Sequence, residues 1–274
     1  MDVRFYLFLM CAGFGLKLSG QTENISISYE QKEKKIVFYA RNTNLVPVSI
    51  KMDFDLTNMK ITTKNKEFFI IPPLSKKYKI TSLSPKRANS SYNFQYNFTT
   101  QIGKTRRSKP DKNFVYNLPY SSGSGFKIDQ GYNGSFSHQD KKALDFGMSI
   151  GQEIRAARAG IVTKVIDKNK RHCPKRSCIK FNNKIVIYHD DGTFARYVHL
   201  KQNSAKVEVG QKVKADDLLA SSGQTGFTDG PHLHFEVIIP MFKVENTLFL
   251  PTHFKTKTSK NPLLLKEGKS YLKP

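Results

Sequence analysis

An all-β chain is predicted by three observations: long stretches in which apolar and polar residues alternate with period two, turn-forming Gly, Pro, Asn and Ser between them, and no amphipathic helical pattern of any length. The 274 residues suffice for one large or two medium cores, and a change in composition partway along favours two. Trp is absent while Phe and Tyr number 20 and 12, so both cores are expected to lean on aromatic rings.

Taken in order, residues 1–20 read as a secretory signal. Arg4 supplies the positive charge, an apolar run follows from Phe5 to Leu16, and Leu18-Ser19-Gly20 ends in a small residue suited to cleavage. The run is too short for the ~20 residues that span a bilayer, so no transmembrane span is expected after cleavage. Cys11 as a lipid-attachment cysteine is disfavoured by the large Met10 before it. Residues 21–100 should form a β-sandwich-like domain. Val48, Ile50, Met52, Phe54 and Leu56 alternate with polar residues, as do Tyr92, Phe94, Tyr96 and Phe98, with shorter strands at Ile25–Tyr29, Ile36–Ala40 and Phe68–Ile71. Aromatics at that spacing could also make a stacking platform for bases or glycans. One side of a sandwich core is the preferred reading.

Residues 101–117 have linker composition, with Lys104, Arg106, Arg107, Lys109 and Lys112 crowding around Pro110, and Arg106-Arg107 offers a dibasic processing site. A second β-rich domain is expected over 118–240, with strands at Glu153–Ala157, Gly160–Asp167, Lys184–His189, Thr193–His199 and His234–Ile239. The basic, Pro-punctuated segment 241–274 is expected to be a loose or disordered tail.

The net charge of +23 raises polyanion partners such as anionic wall polymers, and a salt-sensitive adhesion protein is one function class to test. Specific nucleic-acid binding is not expected, because the cations are spread along the chain and no helix-turn-helix, zinc-finger or RNA-binding signature occurs. Cys173 and Cys178 read as a local disulfide in an oxidising compartment; a metal site with His172 is the alternative, and it lacks a fourth ligand.

Chemistry concentrates in the second domain. In Gly230-Pro231-His232-Leu233-His234-Phe235, the two histidines lie two apart and would project from one face of a strand. Upstream, Ser137-His138 and Ala143-Leu144-Asp145-Phe146 supply a His and an Asp. A hydrolytic zinc site needs three N or O ligands and one open position, a count that His138, Asp145 and His234 meet. Arg196-Tyr197-Val198-His199-Leu200 adds a further imidazole, and strict strand alternation places His199 on the face of Tyr197. With His232 it would supply the general base and hydrogen-bond donor for attack by water. His172, His189 and His253 are expected to be ordinary surface or core residues. Asp140, Asp190 and Asp191 are rival carboxylates, and Glu236 is expected to support the site from outside or lie on the surface.

These motifs, in this order, resemble the lysostaphin and LytM type of zinc endopeptidase, metallopeptidase family twenty-three, over roughly residues 118–240. The resemblance implies an open antiparallel β domain of the duplicated-hybrid-motif type with the metal in a groove. It implies one zinc ion on His138, Asp145 and His234, His199 and His232 as the catalytic pair, and peptidoglycan peptides as substrate for a secreted enzyme. A non-catalytic module that activates another wall hydrolase is the alternative; such modules typically lack a ligand, and none is missing here. One departure is Asp216, at a turn where relatives often carry Gly; Asp tolerates a left-handed backbone better than most residues.

Overall fold

The computed structural model describes residues 25–32, 35–64, 67–88, 90–105 and 108–274. The expected signal and the Arg106-Arg107 pair lie outside these residues. The described residues divide into two compact units, one ending at residue 101 and the other covering 102–274. No helix among the described residues is long and apolar enough to cross a membrane.

Alternation builds the first unit from seven strands: β1 (Ile25–Lys32), β2 (Lys35–Asn42), β3 (Val48–Thr57), β4 (Met59–Ile61), β5 (Phe68–Ile71), β6 (Ser75–Pro85) and β7 (Asn93–Ile102). They form a four-stranded sheet in the order β1-β2-β6-β4 and a three-stranded sheet in the order β5-β3-β7. The inward positions of both sheets share one core that includes Phe38, Ile50, Met52, Ile71 and Leu83. Phe38 sits at its centre, with ring centroids 5.3 Å from Phe54, 5.9 Å from Phe94 and 5.1 Å from Tyr96. Phe94, Tyr96 and Phe98 therefore pack against the core, whereas Tyr92 is exposed.

The second unit continues with β8 (Val115–Asn117), β9 (Gly125–Gln130), β10 (Ala143–Gly147), β11 (Glu153–Arg155), β12 (Gly160–Ile166), β13 (His172–Cys173), β14 (Lys184–Tyr188), β15 (Phe194–Val198), β16 (Lys212–Val213), β17 (Leu218–Ser221), β18 (Gly226–Phe227), β19 (His232–Ile239), β20 (Leu248–Leu250), β21 (His253–Thr256), β22 (Ser259–Leu264) and β23 (Ser270–Leu272). Its main sheet runs β16-β12-β14-β15-β19-β10-β9-β23, with β20 also on β19. Because paired residues in a sheet share a face, the register sorts the side chains. Leu144 opposes Phe235, which opposes Tyr197, which opposes Ile185, and all four are buried in the core. One residue along, Asp145 opposes His234, His234 opposes Val198, and Val198 opposes Lys184. One face of the sheet is thus apolar and the other carries the chemistry.

Two expectations are corrected. The segment expected to be a loose linker packs into the second unit over its described residues 108–117: β8 pairs with β21, Tyr116 joins the core, and the Arg158 guanidinium lies 3.8 Å over the Phe114 ring. The segment 241–274 is likewise built into the unit rather than loose. β20 extends the sheet beside β19, β23 pairs with β9, and Phe254, Leu265 and Tyr271 are core residues. Its lysines obscured these apolar anchors. Lys273 is itself buried, donating to the carbonyl of Tyr120 at 2.6 Å and pairing with Asp216. Asp216 takes the left-handed backbone (φ 72°) that its turn demands, and Asn117 donates to its carboxylate at 2.7 Å. Cys173 and Cys178 form a disulfide.

Candidate metal centre and its groove

Each side chain at the centre is aimed by a backbone contact. His138 sits in the turns between β9 and β10, fully buried, with its backbone N–H donating to Gln130 Oε1 at 3.1 Å. Its Nδ1–H donates to the carbonyl of Gly131 at 2.9 Å, which leaves Nε2 as a bare lone-pair donor. Nε2 lies 3.2 Å from Asp145 Oδ1 and 3.2 Å from His234 Nδ1. Asp145 and His234 are directly opposed on β10 and β19, so strand pairing alone brings Oδ1 to 2.9 Å from Nδ1. On the far side of the ring, His234 Nε2 faces Glu236 Oε2 at 3.4 Å. Glu236, two residues on and on the same face, is buried and pairs with Arg196 at 2.7 Å.

Charge follows from this packing. Burial alone would raise the pKa of Asp145, but its close contacts with the His138 and His234 imidazoles hold it well below the usual carboxylate range. Burial opposes charging of His234, and its bonds to Asp145 and Glu236 overcome this and push it up to about 9. Burial of Glu236 is likewise outweighed, by His234 and then Arg196, so its pKa falls to about 2.

The donor set fits a metal. One ligand atom each from His138, Asp145 and His234 lies within 4.8 Å of the other two. Around a tetrahedral ion with bonds of about 2.0–2.1 Å, ligand atoms are about 3.3 Å apart, close to the 2.9 to 3.2 Å separations found here. Both histidines also have their second nitrogen tied to an acceptor, as metal-ligating imidazoles do.

His199 and His232 stand beside the three donors. His232, on β19 two residues before His234, donates from Nδ1 to the carbonyl of Gly230 at 3.0 Å and holds Nε2 3.7 Å from Asp145 Oδ1. His199 reaches the same place by a route that strand alternation does not give. Continued alternation would have put it beside Tyr197 in the core; instead β15 ends at Val198, and His199 adopts a left-handed backbone (φ 65°) that swings its ring across. Its ring centroid is 4.6 Å from that of His232 and 6.0 Å from that of His234. Nδ1–H donates to the carbonyl of Thr225 at 2.7 Å. Burial, reinforced by His232 and His234, lowers its pKa to about 3, so the ring is neutral near pH 7.

The centre opens into a cleft of about 370 Å³ lined in part by Gln130, Phe136, Asp145, His199, Phe227 and His232. Phe136 and Phe227 stack 5.6 Å apart along it. Gly147, opposite His232, lacks the Cβ that would come within 2.2 Å of the Asp129 carboxylate, so the glycine makes room for that acid at the cleft. The other histidines and the rival carboxylates Asp140, Asp190 and Asp191 do not line the cleft. His189 closes a hairpin through its backbone, buried with Nδ1 on the carbonyl of Ala159, and Asp191 pairs with Arg158. His172 pairs in β13 and His253 in β21, and Asp140 is exposed. The sequence reading missed Gln130, which braces both His138 and Asp145, and the carbonyls of Gly131, Thr225 and Gly230 that choose the tautomers. Backbone acceptors carry no residue-type signal.

Comparison with known proteins identifies a family for part of the chain. The model of Peptidase family M23 matches residues 139–246. This stretch is an M23 peptidase domain. The match begins one residue after His138, so the place of that residue in the centre rests on the geometry above. Relatives of the M23 domain include the peptidoglycan DD-endopeptidase ShyA of Vibrio cholerae, 35% identical over 95 residues, covering 35% of this chain and 19% of that protein. Lysostaphin of Staphylococcus staphylolyticus is 30% identical over 125 residues, covering 45% and 23%. Among solved structures, the catalytic domain of the antimicrobial peptidase lysostaphin from Staphylococcus simulans aligns with 25% identity and a TM-score of 0.34, covering 47% of this chain and 88% of that one. The matched stretch spans about a fifth of the length of the curated relatives.

Proposed function

We propose that the chain is a secreted zinc endopeptidase that hydrolyses peptide bonds in peptidoglycan, with His138, Asp145 and His234 holding one ion and His199 and His232 acting on the substrate. The observation that carries this reading is the convergence of two buried donors and one half-buried donor, each with its orientation set by a second partner, beside two imidazoles that both present Nε2. A zinc ion held there supplies Lewis acidity, polarising a carbonyl and lowering the pKa of water.

The chain's own residues do the rest. Carbonyl acceptors fix Nδ1–H on both His199 and His232, so the Nε2 lone pairs face the cleft. His232 is the less buried of the pair and the nearer to the open cleft; it takes the proton from the attacking water at Nε2 and returns it to the leaving amine. His199, kept neutral, orients the reacting carbonyl and water. Glu236 and Gln130 hold the ligands in place. ShyA, one of the relatives named above, is a peptidoglycan DD-endopeptidase, which supports peptidoglycan peptides as the substrate class. The apolar N-terminal run and the Cys173–Cys178 disulfide support an oxidising, extracytoplasmic location. The charge of +23 supports added attraction to anionic wall polymers, weakened by salt.

Purified protein should carry about one zinc per chain and release peptides from isolated sacculi. His232→Ala should keep the metal and lose at least 100-fold in release rate. A zinc-loaded wild type that leaves sacculi intact overturns the peptidase reading and favours a non-catalytic wall-binding module. A His232→Ala variant as fast as wild type overturns the role given to His232.

A further inference from the structure

The face of the sheet that bears the metal donors continues past them, and its chemistry there is cationic. In the row through Asp145 and His234, the next residues are Val198 on β15 and Lys184 on β14. The neighbouring row runs from Glu236 through Arg196 and Val186 to Lys164 on β12. Three cations are therefore set in adjoining rows beside the centre. Only one acid stands among them, and Glu236 is already engaged by Arg196 and His234. Lys184 is half-buried, and its ammonium makes no hydrogen bond or salt bridge to any described residue. Burial, with Lys164 and Arg196 close by, lowers its pKa to about 8. A half-buried ammonium between two like charges is costly unless an anion joins it.

From these rows we propose that Lys184, Lys164 and Arg196 form a subsite that takes a carboxylate of the peptide substrate. This rests on the peptidase reading and adds to it the charge of the substrate. Neighbouring strands are about 4.8 Å apart, so Lys184 lies two strands, about 10 Å, from His234. That separation equals about three residues of extended peptide, which places the bound carboxylate within three residues of the bond that is cut. The cations lie outside the cleft proper, whose own lining carries the reverse charge in Asp129, Asp229 and Glu267. A peptide lying across the strands thus meets cations at one end and acids at the other, and its direction is chosen by its charges.

The test uses the zinc-loaded full chain and a matched pair of synthetic stem peptides of peptidoglycan, one with free carboxylates and one fully amidated. Calorimetric Kd values should favour the free acid at least tenfold in wild type, and less than threefold in Lys184→Met. Zinc content checks the fold of that variant, and Lys164→Met, expected to lower the preference in the same direction, carries the test if Lys184→Met loses zinc. Equal Kd values for the pair in wild type, or an undiminished preference in a zinc-retaining variant, overturn the subsite. Hydrolysis of the same peptides separates the two claims. A carboxylate preference without cleavage keeps the subsite and sinks the peptidase reading, whereas cleavage of both peptides with equal Kd does the reverse.

Discussion

The two units use the same device and spend it differently. In the sandwich of residues 25–101, alternation buries apolar side chains, and the buried polar residues there are Asn42, Ser49, Thr81 and Ser82. All four are neutral, and Asn42 satisfies itself on the carbonyls of Val46, Ile71 and Pro72. In the unit that contains the M23 domain, alternation makes an equally apolar core on one face, yet the buried set includes His138, Asp145, His199, Glu236 and Lys273. Burying ionisable groups costs several kcal/mol each unless they are paired or bind a metal. Sheet architecture is common to both units; what marks the functional one is a cluster of buried charge whose members point at a single place.

The contrast can be broken most sharply at the ligands. His138→Ala removes a fully buried donor, and metal content should fall from about one per chain to below a tenth, with hydrolysis down by at least 10³-fold; elemental analysis and a sacculus assay read the two. A variant that retains full zinc would show that Asp145 and His234 need no third ligand.

The sandwich should respond in stability alone. Phe38→Ala empties the centre of its aromatic cluster and should cost about 3–5 kcal/mol in denaturant unfolding. Zinc stoichiometry should stay unchanged. Loss of zinc in this variant would show that the two units are energetically linked.

A smaller effect separates buried charge that serves the centre from buried charge that does not. Burial lowers the pKa of His189 to about 4 from an ordinary 6.5. The unfolded chain therefore takes up a proton first as pH falls, and stability present above pH 6.5 is lost progressively down to about pH 4, by about 3 kcal/mol. His189→Gln should remove that part of the acid-side loss, read as the change in urea midpoint between pH 7 and pH 4.5, without altering zinc content. An unchanged pH dependence would mean that His189 is not buried in the neutral form.

Much of this was legible before the structure. The alternation of Val48 to Leu56 and of Tyr92 to Phe98 reads directly as β3 and β7, because period two is a local property of the chain. Asp145 and His234 stood out because His and Asp are uncommon at strand positions bracketed by apolar neighbours. The segments around Tyr116 and Tyr271 were misread, because their anchors sit among lysines and their partner strands lie far away in sequence. Composition averages over such anchors; pairing does not. The face chosen by His199 was misread as well, since a single left-handed residue reverses what alternation implies.

By itself, then, the amino-acid order determined the strands, the segregation of apolar and polar faces, and which side chains have the chemistry to hold a metal and move a proton. Those are properties of residue type and near-neighbour spacing. Tertiary structure alone decided that Gln130 braces two candidate ligands, that carbonyls from three separate turns choose the imidazole tautomers, and that Lys184 shares a row with His234. Each of these depends on strand register and loop closure between distant segments, and that long-range pairing is where short-range periodicity carries no information.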